Sequence, residues 1–369
     1  MARYTIAVLP GDGIGPEITE EGIKVLYAAE EAFPGLKMDF TTYEASATLY
    51  ARTGVALPPD VYDACAQADA IFFGSMGLPD IKLPDGTEVA GEVIFRLRFG
   101  LDLYAGVRPI TLYPNVQFPL KAREPGSIDY VIIRENVEGL YASRGGGTLL
   151  RDEVATDTIV MTRKGTERIV RYAFELAKRR NGAPLDGIRR VTCVDKSNVL
   201  RSYAFFRKVY DDVAAEYPNI ERDYAYVDAM TLWQVQRPEF YDVVVAENMF
   251  GDIISDLGAG TVGSMGMAPS GDIGDEHGLF QPAHGTAPTI AGKGIANPLA
   301  MILSGSMMLE WLGIRHDDRT ALDAAKRINA AVKAVLAKEK LLPQDVGGTA
   351  GTKALGDAVA ARVVSGVEA

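Results

Sequence analysis

The chain has 369 residues and a formal net charge of −11, from 38 Lys and Arg against 49 Asp and Glu. A chain of this length exceeds the usual single-domain size, so we expect two lobes with a cleft between them. The acidic balance argues against a nucleic-acid or anionic-membrane surface, so an anionic ligand must be met by locally placed Arg and Lys.

Short apolar strands alternate with helical periods along most of the chain. The strand-like "YTIAVL" precedes the helix-like "EITEEGIKVLYAAEEAF", and in the middle the strand-like "RRVTCVD" precedes "VLRSYAFFRKVYDDVAAEY". The final third is mainly helical in pattern. This alternation is typical of an α/β protein with a largely parallel central sheet.

The opening run "VLPGDGIGPEI", residues 8–18, looks like a phosphate-binding loop. Gly11 and Gly13 fit the G-x-G-x-x-G dinucleotide fingerprint, but Pro16 stands in place of its third glycine. Pro16 suits a first helical position, and Glu17 favours the positive end of the helix while making it less welcoming to phosphate. The run therefore predicts a tight strand-to-helix turn bordering a cleft.

Two stretches indicate crossings between lobes. In "LYAGVRPITLYP", near 103–114, Gly and Pro interrupt a strand pattern, and "GAGTVGSMGMAPSGDIG", near 258–274, is too glycine-rich for a regular element. The predicted lobes are then 1–105 plus 263–369, and 106–262. A protruding β arm is expected at about 144–163, covered by a second subunit or forming an ordinary surface hairpin.

Three carboxylates suggest a site for Mg²⁺ or Mn²⁺. Asp252 and Asp256 lie four residues apart in a helix-like segment, so both face the same way, and Asp228 stands at the end of a strand. The alternative is that Asp252 and Asp256 are solvent-exposed acidic residues of a helix and that Asp228 is a helix cap. Either way, the segment predicts a helix with an acidic face.

Basic residues favour the metal interpretation. Arg98, Arg108 and Arg134 lie in or after apolar runs, where a bidentate clamp for carboxylates explains them better than surface charge does. Tyr141 follows Arg134 by seven residues, and Lys196 stands just after a strand. Tyr and Lys near a divalent cation can act as acid and base. Together these residues describe a site for a dicarboxylate and a metal.

Several long motifs carry a resemblance to a known family: "PGDGIGPE", "LDLYAGVRP", "RENVEGLY", "VDKSNVL", "VDAM", "NMFGDIISDLGAG" and "HGTAPTIAGKGIANP". The sequence resembles the isocitrate and 3-isopropylmalate dehydrogenases, the metal-dependent β-decarboxylating dehydrogenases, nearly end to end. The resemblance implies an isopropylmalate dehydrogenase-like two-lobed α/β fold that is not a classical Rossmann fold. Residues 1–105 plus 263–369 would form the cofactor-binding domain, and 106–262 the dimerisation and metal/substrate domain.

The resemblance also implies a role for each site residue. Arg98, Arg108 and Arg134 would hold the carboxylates of a malate-type 2-hydroxy acid. The cation would be bound by Asp252 and Asp256 with Asp228 of the partner subunit. Lys196 of the partner subunit would help remove the hydroxyl proton, and Tyr141 would help protonate the carbon after CO₂ leaves. The enzyme would be a homodimer with shared active sites, and the arm at 144–163 would be its intersubunit clasp.

For the cofactor, the resemblance implies NAD on the loop "QPAHGTAPTIAGKGIANP", with Asn198 near the nicotinamide. The loop residues concerned are His284, Gly285, Thr286, Ala287, Thr289 and Asn297. NAD users of the family carry an acidic residue, and NADP users often a Lys and Tyr, where this chain has Thr289 and Ile290. NAD is favoured because no charge compensates a 2′-phosphate, with NADP left open.

Substrate choice would depend on Ile94 and Phe95, joined by Val199 of the partner subunit. Glu92 and Ile94 replace the Ser and Asn that meet a third carboxylate in isocitrate-type enzymes. An apolar substituent is therefore favoured, which makes 3-isopropylmalate the first expectation, followed by D-malate or tartrate and then isocitrate or homoisocitrate. A non-catalytic regulatory member of the family is the alternative from another class, although the Tyr, the Lys and the metal Asp residues are all present.

Localisation is predicted from the cysteines and the N-terminus. Cys65 and Cys193 lie in apolar contexts without a C-x-x-C partner, which indicates neither a disulfide framework nor a zinc site. The N-terminal run shows no signal-peptide pattern, and no apolar run reaches about 18 residues. We expect a cytoplasmic protein without a membrane partner.

Overall fold

The computed structural model of the protein describes residues 2–366. Its strands are β1 (Ala2–Gly11), β2 (Leu36–Thr42), β3 (Ala70–Ser75), β4 (Ala105–Thr111), β5 (Asp129–Glu135), β6 (Thr148–Leu150), β7 (Val154–Thr156), β8 (Arg190–Asp195), β9 (Glu221–Tyr226), β10 (Val243–Ala246), β11 (Pro269–Ile273) and β12 (Gly278–Pro282). Its helices are α1 (Gly15–Ala32), α2 (Ala47–Thr53), α3 (Pro59–Gln67), α4 (Ala90–Gly100), α5 (Arg163–Arg179), α6 (Arg201–Ala214), α7 (Val227–Gln236), α8 (Asn248–Thr261), α9 (Leu299–Arg315), α10 (Arg319–Ala334) and α11 (Thr352–Ser365). The prediction of an α/β protein with a largely parallel sheet is confirmed.

The chain divides into two compact units. Within the described residues, the first comprises 2–103, 113–118 and 263–366, and the second comprises 104–112 and 119–262. The first unit contains the strand order β2-β1-β3-β12-β11, in which only the β11–β12 pair is antiparallel. The second contains β4-β5-β10-β8-β9, in which only β4–β5 is antiparallel.

The sheet of the first unit is covered on both faces, which explains its continuous apolar strands. Ala7, Leu9 and Phe73 join an apolar cluster with residues of α3 and α4. Alternate residues point to the other face, where the ring of Phe72 lies so close to Gly22 of α1 that a Cβ there would come within 2.8 Å of it. Helices α9, α10 and α11 pack with α1.

Helix α8 packs against β4 and β5 in the second unit, and two glycines permit the close approach. A Cβ at Gly251 would lie 2.8 Å from the side chain of Arg134, and one at Gly258 would lie 2.9 Å from the hydroxyl of Tyr130. Helices α5 and α6 pack against each other and against the parallel strands of this unit. The small residues of α8 thus bring its polar face next to the basic strand residues.

Two local expectations were wrong. Gly106 and Pro109 do not interrupt β4, because seven residues of this strand pair with β5 and the fixed φ of proline is compatible with an extended chain. The glycine-rich stretch at 258–274 is also partly regular, since α8 continues to Thr261 and β11 begins at Pro269. Pairing with neighbours overrides the local composition in both cases.

The arm is a two-stranded hairpin of β6 and β7. All six of its strand residues are exposed, including Leu149 at 68% and Leu150 at 55%.

Both cysteines, Cys65 and Cys193, are buried and form no disulfide. Among residues 2–366, no helix is both long enough and apolar enough to cross a bilayer.

Candidate active site

Helix α8 carries the two acidic residues that the sequence singled out. Glu247 caps its N-terminus by accepting hydrogen bonds from the backbone of Met249 and Phe250 at 3.2 and 2.8 Å. Asp252 and Asp256 lie one turn apart, so both carboxylates project from one face of the helix. Their positions follow from the helical period, since this segment forms a capped, continuous helix.

Arg108 and Arg134 face these carboxylates from two neighbouring strands. Arg108 pairs in register with Ile132, two residues before Arg134, so both side chains lie on the same face of the sheet. Nη1 of Arg108 lies 3.2 Å from Oδ1 of Asp252 and 3.3 Å from Oδ1 of Asp256. Arg134 makes a close ion pair with Asp252. Both guanidinium groups are buried, which strengthens their attraction for carboxylates.

Neutral partners fix the two guanidinium groups in place. Asn248 accepts from Nε and Nη2 of Arg134 at 3.1 and 2.8 Å, and Ser255 accepts from Nη1 of Arg108 at 2.7 Å. The sequence analysis did not identify Asn248 or Ser255. The signal for finding them was their position on the polar face of α8, three or four residues from an acidic residue.

Tyr141 completes this cluster. Its hydroxyl donates to Oδ2 of Asp252 at 3.4 Å, and its ring centroid lies 5.5 Å from the guanidinium carbon of Arg134. Burial, and then the charge of Asp252, raise the pKa of the Tyr141 hydroxyl above its usual value. The phenol therefore keeps its proton at neutral pH and can supply it to a group bound beside Asp252.

The turn before Tyr141 is held by two glutamates. The carboxylate of Glu135 accepts from the backbone of Val137 and Glu138, at 3.0 and 2.6 Å. Glu138 in turn accepts from the backbone of Thr162 at 2.9 Å. Burial raises the pKa of Glu135 to about 7. These contacts fix the backbone between Arg134 and Tyr141.

Lys196 and Asp228 form a second, separate cluster in the second unit. Nζ of Lys196 lies 2.5 Å from Oδ1 of Asp228, and this hydrogen bond holds the pKa of that carboxyl below its usual value. Asp195 fixes the Lys196 turn by accepting from the backbone of Ser197 at 2.8 Å, and Arg207 pairs with Asp195 at 2.6 Å. In the part of the chain described, 2–366, no three His, Cys, Asp or Glu residues form a group able to hold a metal. One chain thus presents Asp252 and Asp256 together, and Asp228 apart from them.

The residues beyond Lys196 are open to solvent. Asn198 is exposed and Val199 is 68% exposed, in a turn before α6. An apolar side chain so exposed is available for contact with another molecule.

Arg98 belongs to the first unit, where it is buried in α4. Its Nε donates to Oδ2 of Asp272 at 2.9 Å, and Nε2 of Gln281 donates to the same oxygen at 2.9 Å. Asp272, on β11, was missed by the sequence analysis because it lies in a stretch interpreted as irregular. Ile94 is half-buried and packs against the apolar cluster of this unit, while Phe95 stacks on Phe99 at 5.7 Å between ring centroids.

A pocket of about 530 Å³ lies within the first unit. Four residues predicted to bind the cofactor line it: His284, Gly285, Ala287 and Asn297. Ile290 of the same loop and Ile14, just before α1, also line it. Ser264, Met265 and Asp345 also line it and were not foreseen. Of the remaining loop residues, Thr286 is buried and Thr289 is exposed, and neither is among the lining residues.

The polar groups of this pocket fit a planar heterocycle. Nδ1 of His284 lies 2.8 Å from the carbonyl of Gly285, so Nδ1 carries the proton and Nε2 is an acceptor. Within residues 2–366, this buried Nε2 has no hydrogen-bond partner, and burial lowers the pKa of the ring. Asn297 donates to Asp345 at 3.1 Å. An aromatic ring system with a donor edge could satisfy His284 against the apolar wall of Ile14 and Ile290.

The second unit thus presents two carboxylates beside buried arginines, and the first unit contains a pocket lined by apolar side chains and His284. The isocitrate/isopropylmalate dehydrogenase family model matches residues 5–359. The chain is 43% identical to a 3-isopropylmalate/3-methylmalate dehydrogenase of Methanocaldococcus jannaschii, over 98% of this chain and 99% of that protein. It is 42% identical to a decarboxylating D-malate dehydrogenase of Escherichia coli, over 97% and 98% of the two chains.

A solved structure agrees with these sequence matches. The isocitrate dehydrogenase of Methylococcus capsulatus superposes with a TM-score of 0.84 and 36% identity, over 98% of this chain and 99% of that one. The protein is therefore an oxidoreductase, a decarboxylating dehydrogenase of hydroxy acids. It belongs to the isocitrate/isopropylmalate dehydrogenase family, as the sequence motifs predicted.

Proposed function

We propose that this protein catalyses the NAD-dependent and divalent-metal-dependent oxidative decarboxylation of a (2R)-malate-type acid, with 3-isopropylmalate as the favoured substrate. The observation that carries the proposal is the cluster in which Arg108, Arg134 and Tyr141 converge on Asp252 and Asp256. In this cluster, Arg108 and Arg134 can bind the carboxylates of a substrate, and Asp252 and Asp256 can bind a metal cation. Tyr141 adds a protonated phenol.

The donors fit Mg²⁺ or Mn²⁺, since two carboxylates on one helix face offer hard oxygen ligands. Asp252 and Asp256 would hold the cation, with Asp228 of the partner subunit. When bound, the cation would polarise the substrate hydroxyl and NAD would accept the hydride from C2. Arg108 and Arg134 would then pair with the substrate carboxylates, which can neutralise the same charges as the Asp side chains do.

Proton movements fall to two side chains. Nζ of Lys196 of the partner subunit, in its uncharged form, would accept the hydroxyl proton as hydride leaves C2. Loss of CO₂ leaves an electron pair on the neighbouring carbon, and Oη of Tyr141 donates the proton that this carbon takes up. A phenol is protonated at neutral pH, so Tyr141 can hold the proton that the carbanion takes up.

The pocket of the first unit supports NAD as the cofactor. His284 and Asn297 would meet the adenine, and the backbone from Gly285 to Ala287 would lie near phosphate and ribose, with Asn198 near the nicotinamide. Among the described residues that line the pocket, none is Lys or Arg, and Asp345 contributes a carboxylate. A 2′-phosphate would find no cation in this lining, which favours NAD over NADP.

The side chains proposed to choose the substrate are apolar. Ile94 and Phe95 on α4 would offer no polar group to a third carboxylate, and Val199 of the partner subunit, which is 68% exposed in the single chain, would close the pocket. The Methanocaldococcus jannaschii relative is named for 3-isopropylmalate and 3-methylmalate, and the Escherichia coli relative for D-malate. D-malate and tartrate therefore remain the next candidates, followed by isocitrate and homoisocitrate.

We also propose a homodimer with shared active sites. Leu232 and Val235 on α7 and Ile253 on α8 are 52%, 46% and 53% exposed, and the two helices pack against each other. The exposed Leu149 and Leu150 of the arm add apolar surface in the same unit. A second copy would bury this surface and bring Lys196 and Asp228 to the Asp252 cluster. The buried, unpaired cysteines are compatible with a reducing cytoplasm.

The test is an assay of NADH and NADPH formation with Mn²⁺ across 3-isopropylmalate, D-malate, tartrate, isocitrate and homoisocitrate. We expect the highest kcat/KM with 3-isopropylmalate and NAD. Isocitrate as the best substrate would overturn the substrate proposal, and a preference for NADP would overturn the cofactor proposal. No metal-dependent reduction with any of these acids would favour the regulatory alternative.

A further inference from the structure

The opening turn "PGDGIGPE" is in direct contact with the pocket loop. The backbone N–H of Ile14 donates to the carbonyl of Thr286 at 2.9 Å. Gly13 has a φ of +59°, and a Cβ at this position would lie 2.1 Å from the same carbonyl. The turn and the loop are therefore in direct backbone contact, which only glycine permits at position 13.

Asp12 anchors the turn from its other side. Its buried carboxylate accepts from the backbone of Ala47 at 2.8 Å, of Thr48 at 3.0 Å and of Gly77 at 3.0 Å. A carboxylate with several N–H donors is held rigidly, because each donor would lose its partner if the side chain moved. The backbone of Gly13 and Ile14 is thus presented to the pocket loop in one position.

Glu17 makes a second connection, farther along the same loop. From the first turn of α1, its Oε1 accepts from the backbone N–H of Gly292 at 3.1 Å. A carboxylate at this position is also favoured by the positive end of the helix. Between the two connections, Ala287 has a φ of +39°, a conformation that costs a non-glycine residue energy and persists only where the surroundings impose it.

We propose that the first turn of α1 positions the pocket loop, residues 284–292, and that Glu17 is a positioning residue for the cofactor that this loop holds. Ile14 fixes the near end of the loop and Glu17 the far end. The strained Ala287 and the pocket-lining His284, Gly285 and Ile290 lie in or beside the span between them. The part of the proposal that concerns the cofactor rests on the proposed NAD site, whereas the part that concerns the loop does not.

Loss of the Glu17 carboxylate makes the far end of the loop more mobile. Nucleotide binding must then also order this segment, and the entropy lost in doing so lowers the affinity. The effect falls on nucleotide binding, because Glu17 is not among the described residues that line the pocket and acts through the backbone of Gly292. In Glu17→Ala we expect KM for NAD to rise about fivefold with kcat changed less than about twofold.

The experiment compares Glu17→Ala, Glu17→Gln and Glu20→Ala in the full chain. Glu20 lies on the same helix and is exposed, so its replacement controls for the loss of a charge near the N-terminus of α1. Glutamine keeps an oxygen that can accept from Gly292, so Glu17→Gln should retain most of the wild-type behaviour. It also separates the hydrogen bond from the helix-dipole effect.

Two readouts separate the loop from the cofactor. Amide hydrogen exchange without nucleotide should be faster over residues 286–292 in Glu17→Ala than in Glu20→Ala or Glu17→Gln. Equal exchange in all three variants would overturn the positioning role, whatever the nucleotide binds. NADH affinity is then measured for each protein. If wild type does not bind NADH, the proposed cofactor site fails, and if wild type and Glu17→Ala bind equally, the inference for the cofactor fails.

Discussion

Arg98 and Asp272 form a buried ion pair, with Nε of the guanidinium 2.9 Å from Oδ2 of the carboxylate. Gln281 donates to the same oxygen, so the carboxylate is held from two directions. These contacts fix the orientation of the Arg98 guanidinium group. Asp272 also offsets the charge of Arg98.

Replacing Asp272 by Asn should destabilise the protein by about 3 kcal/mol, because it leaves the Arg98 charge buried without its counterion. Urea unfolding measures the change. Asp323→Asn is the control, because Asp323 is exposed and lies 3.5 Å from Lys326, and exposed pairs contribute less than about 1 kcal/mol. Equal free energies of unfolding for the two variants would contradict the role of the buried pair.

Replacing Asp256 by Asn should weaken Mn²⁺ binding by about tenfold or more, because a charged oxygen ligand becomes a neutral one. The side chain of Asp256 is half-exposed, so the fold should tolerate the change. Calorimetric titration with Mn²⁺ measures the affinity. Chelation with EDTA should abolish NADH formation by wild type, and added Mn²⁺ should restore it. Unaltered Mn²⁺ affinity in Asp256→Asn would argue against this site.

Replacing Tyr141 by Phe, or Lys196 by Ala, should lower kcat by roughly 10²- to 10⁴-fold, the usual contribution of a positioned acid or base. Both variants should keep the fold and the oligomeric state of wild type, which circular dichroism and sedimentation can verify. Tyr27→Phe, at an exposed tyrosine of α1, is the control. An unchanged rate in either active-site variant would defeat the mechanism.

Mixing the two inactive variants tests whether sites are shared between subunits. If Tyr141 and Lys196 of different chains form one site, each heterodimer has one intact site. Random reassociation of Tyr141→Phe with Lys196→Ala should then recover about a quarter of the wild-type activity. Leu232→Asp should give inactive monomers by light scattering, while Leu185→Asp, at a similarly exposed loop leucine, should leave the dimer intact. No recovery on mixing would place both residues of a site in one chain.

Glu135 should make stability depend on pH. Burial raises the pKa of Glu135 from its ordinary value of 4.5 to about 7 in the folded protein. Between pH 4.5 and pH 7, the folded state therefore keeps a proton on this carboxyl that the unfolded state has released. Stability from this group is therefore greatest below about pH 4.5 and is lost as pH rises to 7. Glu135→Gln removes the proton exchange and keeps an oxygen for the two backbone donors.

Urea unfolding at several pH values tests this prediction. The free energy of unfolding of Glu135→Gln relative to wild type should increase between pH 5 and pH 8, by on the order of 3 kcal/mol. Glu31→Gln, at an exposed position of α1, should show a constant difference from wild type over the same range. A constant difference for Glu135→Gln as well would contradict the raised pKa.

Helices and strands, and the faces on which their charged residues lie, could be predicted from the sequence where the cause is local. The spacing of Asp252 and Asp256 places both on one helix face because a helix repeats every 3.6 residues. Pro16 marked the start of α1 because its φ is already helical and it needs no N–H there. The family motifs correctly indicated the fold and the class of enzyme.

Contacts between distant segments were decided only by the tertiary structure. Arg98 and Asp272 are 174 positions apart, and no local rule connects a helix residue with a glycine-rich stretch that becomes β11. Likewise, the sequence of the opening turn matched a phosphate-binding fingerprint only in part. The contact of its Ile14 with the carbonyl of Thr286, in a distant part of the chain, could not be read from that match. Periodicity and turn chemistry are short-range effects, so the sequence determined the elements and their faces. The pairing of buried charges and of backbone groups depends on which elements pack together, so it had to be found in the folded chain.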